Sequence, residues 1–114
     1  SSVVCTELAC LYARHRPAAL MEHLTLHWSR LQPAKVVAAC EEAHLWPELC
    51  FLHLHQDDLD RAVQVMIEHA EACWEAERMH KALTRAVNPE TLYRAIQFYR
   101  EEHPLLLNEM LMVI

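Results

Sequence analysis

The chain contains no glycine in its 114 residues. A dinucleotide fold needs G-x-G-x-x-G, a phosphate loop needs G-x-x-x-x-G-K-[ST] and a serine-hydrolase elbow needs G-x-S-x-G, because backbone bends sharply or approaches a ligand closely at those points. All three are excluded. Tight two-residue hairpins also rely on glycine for positive φ, so a sheet-rich fold is disfavoured. Long apolar runs are missing as well: no uncharged stretch approaches the about 18 residues of a spanning helix, and no basic segment precedes an apolar one at the N-terminus. The expectation is a soluble, unsecreted, cytoplasmic chain with no direct membrane insertion. Positive charge is scarce, with 10 Lys plus Arg against 16 Asp plus Glu and a net charge of −6. That balance repels a phosphate backbone, so nucleic acid is not an expected partner.

What is present favours helix. Ala, Leu, Glu, Arg, Met and Gln are abundant, and 54% of positions are hydrophobic. The length fits one ordinary domain or one segment of a longer array. A start at Ser1-Ser2 without methionine points to a fragment, so residues 1–114 are expected to form a single α-helical repeat segment truncated at both ends. Five cysteines, Cys5, Cys10, Cys40, Cys50 and Cys73, are an odd number spread through apolar surroundings. They read as reduced, buried thiols rather than a disulfide framework.

Proline supplies the punctuation. The five prolines stand at 17, 33, 47, 89 and 104, at intervals of 16, 14, 42 and 15. Proline is favoured at the first helical position, where its missing N–H is not needed, so each marks the start of a short helix. The long interval should hide two more starts, one at Asp57-Asp58 before Leu59 and one at Ala70-Glu71 before Cys73. About eight helices follow, near residues 3–15, 18–31, 33–44, 46–55, 58–69, 71–86, 89–102 and 104–113. Apolar residues recur within them every three or four positions: Leu20, Leu24, Trp28 and Leu31; Val36, Cys40 and His44; Leu59, Val63, Met66 and Ala70; Leu92, Ile96 and Tyr99. Helices this short with minimal turns run antiparallel. The predicted fold is all-α, an α-solenoid of short antiparallel hairpins. A closed helical bundle is the competing architecture, and the apolar residues 105–107 and 110–114 argue against it by leaving the last helix in want of a neighbour.

Several clusters invite chemistry. His23 and His27 stand i, i+4, as do Cys40 and His44, a spacing that can offer two metal ligands. Neither pair has an H-E-x-x-H or C-x2-C companion, so no metal or other cofactor is expected. A Cys/His nucleophile finds no particular pair and almost no loop to carry it, so the chain is read as not an enzyme. Six of the nine histidines lie in residues 1–56, where four basic and five acidic groups leave a charge of −1. Titration near the usual imidazole value of about 6.5 would make that half positive, which predicts a pH-responsive self-association surface. Arg78, Lys81 and Arg85 are spaced to share one helical face, with Arg94 and Arg100 on the next helix. They form either a solvated face in an acidic half or a cationic track for an acidic helical partner.

Read as words, the stretches Glu7-Leu8-Ala9 to Leu11-Tyr12, EHLTLHWSRL at 22–31, EEAHLWPELCFL at 41–52, YRAIQFY at 93–99 and PLLLNEMLMVI at 104–114 resemble the proximal leg of the clathrin heavy-chain family. The similarity runs without an evident gap across essentially the whole chain. The resemblance implies a rod of stacked helical hairpins that packs into the lattice of coated pits and vesicles on their cytoplasmic face. It also implies partners: other heavy chains, and light chains bound along the leg through an acidic-apolar helix. Arg85, in Thr84-Arg85-Ala86-Val87-Asn88, matches a basic position of the family's T-K/R-x-x-N stretch and is the first candidate light-chain contact, followed by Arg94 and Lys81. Residues 54–82 depart most from the family pattern, with His, Asp and Ala at aromatic and lysine-rich positions and no proline near Ala70. This points to a diverged paralogue and bears on light-chain affinity more than on fold. A helical-repeat subunit of a membrane-tethering or vacuolar sorting complex is the rival reading.

Overall fold

The computed structural model describes residues 1–85 and 87–114; Ala86, which the sequence places at the end of the helix 71–86, lies outside the described residues. Among the described residues the ordered structure is entirely helical, as the composition predicts. It divides into two compact units, residues 1–56 and 57–114.

In the first unit, α1 (Ser2–His15), α2 (Leu20–His27), α3 (Pro33–Glu42) and α4 (Trp46–His55) fold back on one another, with α1 against α2 and α3, and α4 against α2 and α3. Ala9, Leu20, Leu24, Val36, Cys40 and Cys50 are wholly buried at the centre. Burying a leucine side chain of this kind contributes about 1.5–3 kcal/mol. Ala9, Ala13, Ala39 and Cys40 are buried small side chains on α1 and α3, two helices that pack on each other. One buried polar group is used as a fastener: the Thr6 hydroxyl accepts a 2.8 Å hydrogen bond from the N–H of Gln32, the N-cap of α3.

In the second unit, α5 (Leu59–Glu68) is the hub. Against it pack α6 (Ala70–Cys73), α7 (Ala76–Leu83) and α8 (Pro89–Glu102), and α8 in turn holds α9 (Leu107–Leu111). Ala62, Val63, Met66, Met79, Ala95, Tyr99 and Met110 are wholly buried.

All five prolines fall at the first or second position of a helical segment, so the punctuation reading holds. Pro17 and Pro104 open short 3-10 turns that lead into α2 and α9. The expected helix over 71–86 is two helices. Trp74 and Glu75 between them are extended, with ψ of 133° and 132°. The break lets the Trp74 ring leave the helical path and stack on His103, centroids 3.8 Å apart and planes 12° apart, beside Phe98 and Tyr99. Arg78 then donates to the Cys73 carbonyl at 3.0 Å, satisfying an acceptor that the break exposes. The stripe of α8 differs from expectation in part. Thr91, Ala95, Phe98 and Tyr99 are buried, whereas Leu92 and Ile96 are half-buried.

Without glycine, two helix ends adopt positive φ using other residues, His44 and Asp57, both at 57°. After α3 the Leu45 N–H reaches the Cys40 carbonyl at 2.9 Å and the His44 N–H reaches Glu41 at 3.2 Å, the paired bonds of a Schellman stop. Asp57 tolerates the left-handed conformation better than most side chains because it is short and polar.

Candidate functional site

The three candidate contacts all belong to the second unit, and each is engaged locally. Lys81, in the last turn of α7, pairs with Glu77 one turn back at 3.6 Å. Arg94, on α8, pairs with Glu90 one turn back at 3.4 Å. Arg85 lies beyond the end of α7, so it does not continue a helical face with Arg78 and Lys81. Its guanidinium grips Asp57 with both terminal nitrogens, Nη1 to Oδ1 at 2.9 Å and Nη2 to Oδ2 at 3.0 Å.

These pairs are solvent-exposed, and exposed pairs are worth roughly 0–1 kcal/mol each. Such cations exchange one carboxylate for another at little cost.

Sequence reasoning missed the acids that organise this surface. Asp57 and Asp58 read as capping carboxylates, and Asp58 is indeed the N-cap residue of α5, but its side chain makes no cap bond and pairs with Arg61 at 3.5 Å. Asp57 holds Arg85, and Asp60 accepts the Asn88 N–H at 3.0 Å. Asn88 in turn caps α8, its Oδ1 accepting from the Thr91 N–H at 2.9 Å. The signal was available: 57 to 85 and 60 to 88 share a separation of 28 residues, about one hairpin. Beside this turn a groove of about 220 Å³ runs along α5 and α8, with Asp60, Arg61, Gln64 and Arg94 on its walls.

The histidine and cysteine pairs do not form a metal site. His23 is buried and donates through Nε2 to the Cys5 carbonyl at 2.9 Å, with its ring against His27 at 4.9 Å. Cys40 and His44 do not share a helix face, since α3 ends at Glu42 and His44 turns outward to stack on Trp46. Among the described residues no group of three or more His, Cys, Asp and Glu side chains is placed to hold a metal ion. Burial pushes the Cys40 thiol up to about 12, helped by Glu48, Cys10 and Glu41, and burial followed by Glu7 raises Cys10 as well. Thiols held protonated are poor nucleophiles.

The comparisons with known proteins agree with the helical hairpins. The family described as "Region in Clathrin and VPS" matches residues 1–107. The probable clathrin heavy chain of Schizosaccharomyces pombe is 45% identical over 106 residues, which is 93% of this chain and 6% of the relative. Clathrin heavy chain 2 of Homo sapiens is 43% identical over 109 residues, 96% of this chain and 7% of the relative. The clathrin heavy chain of Drosophila melanogaster is 44% identical over 109 residues, again 96% of this chain and 6% of the relative. The chain belongs to this clathrin repeat family, and it spans 6–7% of the length of these curated relatives.

Proposed function

We propose, from that membership, that the chain is a leg segment of a clathrin-type heavy chain. On this reading residues 1–114 form one stretch of a longer run of helical hairpins, a stiff scaffold packed into the lattice of coated vesicles during endocytosis and intracellular transport. The observation that carries the reading is identity of 43–45% to heavy chains of a yeast, a human and an insect across 93–96% of this chain. Short helices with largely buried stripes and few loops fit a load-bearing repeat, because each hairpin leaves a face for the next to cover. Lattice work belongs on the cytoplasmic face of the vesicle, and no helix among the described residues is long and apolar enough to cross a membrane.

Light chain is the proposed partner, with Arg85 as the first contact and Arg94 and Lys81 as the candidates after it. Their exchangeable carboxylate pairs support that choice, and an acidic helix is the complementary surface. The deciding experiment grafts residues 1–114 into a clathrin heavy chain in place of its matching stretch, then tests light-chain co-purification and cage assembly. Cages that form and retain light chain are the expected result. Failure of the graft to assemble, with its helical content intact, would refute the scaffold role. A second reading, a subunit of a vacuolar sorting or tethering complex, draws on the family description, which covers both groups. Co-purification of the grafted leg with such a complex and not with light chain would favour it.

A further inference from the structure

We infer that Asp57 is an internal competitor for Arg85, a carboxylate of the same chain that occupies the end-on face of the guanidinium and offsets its charge against an acidic partner. The inference rests on the reading of Arg85 as a partner contact. Asp57 takes two of the guanidinium's five N–H donors, one on each Nη, at 2.9 and 3.0 Å, which fills its end-on face and offsets its charge. A partner carboxylate that approaches end-on has to displace Asp57, and one that takes the Nε side meets a cation whose charge Asp57 already offsets. The exchange is open to solvent: the two side chains are 57% and 62% exposed.

Two neighbouring contacts divide the labour. The Asp60 carboxylate holds the backbone of the turn through the Asn88 N–H, and the Asn88 side chain caps α8. Neither involves Arg85, so the turn keeps its anchor when Asp57 lets go. Asp57 itself is fixed by its left-handed backbone immediately ahead of α5, which aims the carboxylate without help from the guanidinium. The pair thus acts on availability of the cation and leaves the fold of the turn to Asp60.

The test measures binding of purified clathrin light chain to the 114-residue chain by calorimetry, with four proteins. Asparagine keeps the left-handed conformation at 57, so Asp57→Asn removes the competing charge with the backbone kept. It should tighten binding about two- to fivefold, the span that an exposed ion pair allows. Asp58→Asn makes the same change of net charge one residue away and should leave affinity within about 1.5-fold, because Asp58 faces Arg61. Arg85→Glu should weaken binding. If Arg85→Glu weakens it while Asp57→Asn has no effect or weakens it too, the competition is wrong and the contact assignment stands. Equal tightening by Asp57→Asn and Asp58→Asn would reduce the effect to net charge and overturn the inference. No change with Arg85→Glu overturns the contact assignment, and the competition with it.

Discussion

Tyr99→Phe should stabilise this protein, although it deletes a polar group from the most buried aromatic side chain. Tyr99 is 0% exposed at the centre of the second unit, with Trp74, His80, Phe98 and His103 around its ring. Its hydroxyl is buried without a hydrogen-bond partner, as are Trp74 Nε1 and His80 Nε2. Trp74 lies near enough to oppose the rise in the phenol's pKa, which burial still carries to about 12, yet the pair falls outside hydrogen-bond geometry. Burying an unpaired hydroxyl costs roughly 1–3 kcal/mol. Removing the oxygen opens a void smaller than a methyl group and returns about 0.5 kcal/mol of that in lost contacts. The net expectation is a gain of about 0.5–2 kcal/mol, some 2–8 °C in melting temperature. Urea unfolding followed by tryptophan fluorescence measures it, with an unchanged m-value as the sign that only the folded state was altered. A loss of about 1 kcal/mol or more would refute the reasoning, because it would mean that the phenol is a working member of a bonded pair with Trp74.

Two further outcomes follow from the same geometry. Alkali should unfold the protein early: burial holds protons on Cys40, raised from 9.0 to about 12, and on Tyr99, raised from 10.0 to about 12. The unfolded chain releases these protons first, so stability is full below about pH 9 and falls by up to roughly 1.4 kcal/mol per pH unit per group up to about pH 12; Cys40→Ala should reduce the fall between pH 9 and 10 and leave the share of Cys10, whose thiol burial also raises, seen in urea titrations at stepped pH. At the end of α3, His44→Gly should be as stable as the parent or about 0.5 kcal/mol more so, since glycine relieves the left-handed strain but loses the stack on Trp46 and adds freedom to the unfolded chain. His44→Val should cost about 1 kcal/mol or more by thermal melting, because a branched side chain is a poor occupant of positive φ.

How much could be read in advance depended on the range of the interaction. Helix starts were legible because proline acts on its own backbone: Pro33, Pro47 and Pro89 each sit in the first turn of a helix whose position the spacing gave. The break at Trp74 was not legible, since nothing local in Glu71 to Arg78 opposes helix. The ring that Trp74 meets there belongs to His103, some thirty residues away in sequence. The same holds for the surface. Lys81 and Arg94 meet Glu77 and Glu90 one turn back, pairs visible in any helical reading. The Arg85 to Asp57 clasp needs a hairpin already folded before the two residues meet. The absence of glycine joins the two cases. With no flexible stop available, the chain ends α4 on a residue in positive φ that carries a carboxylate, so the position that terminates one helix also supplies the acid that holds Arg85. A glycine at 57 would satisfy the backbone and leave the guanidinium free, which makes the choice of aspartate there a constraint on the surface as much as on the turn.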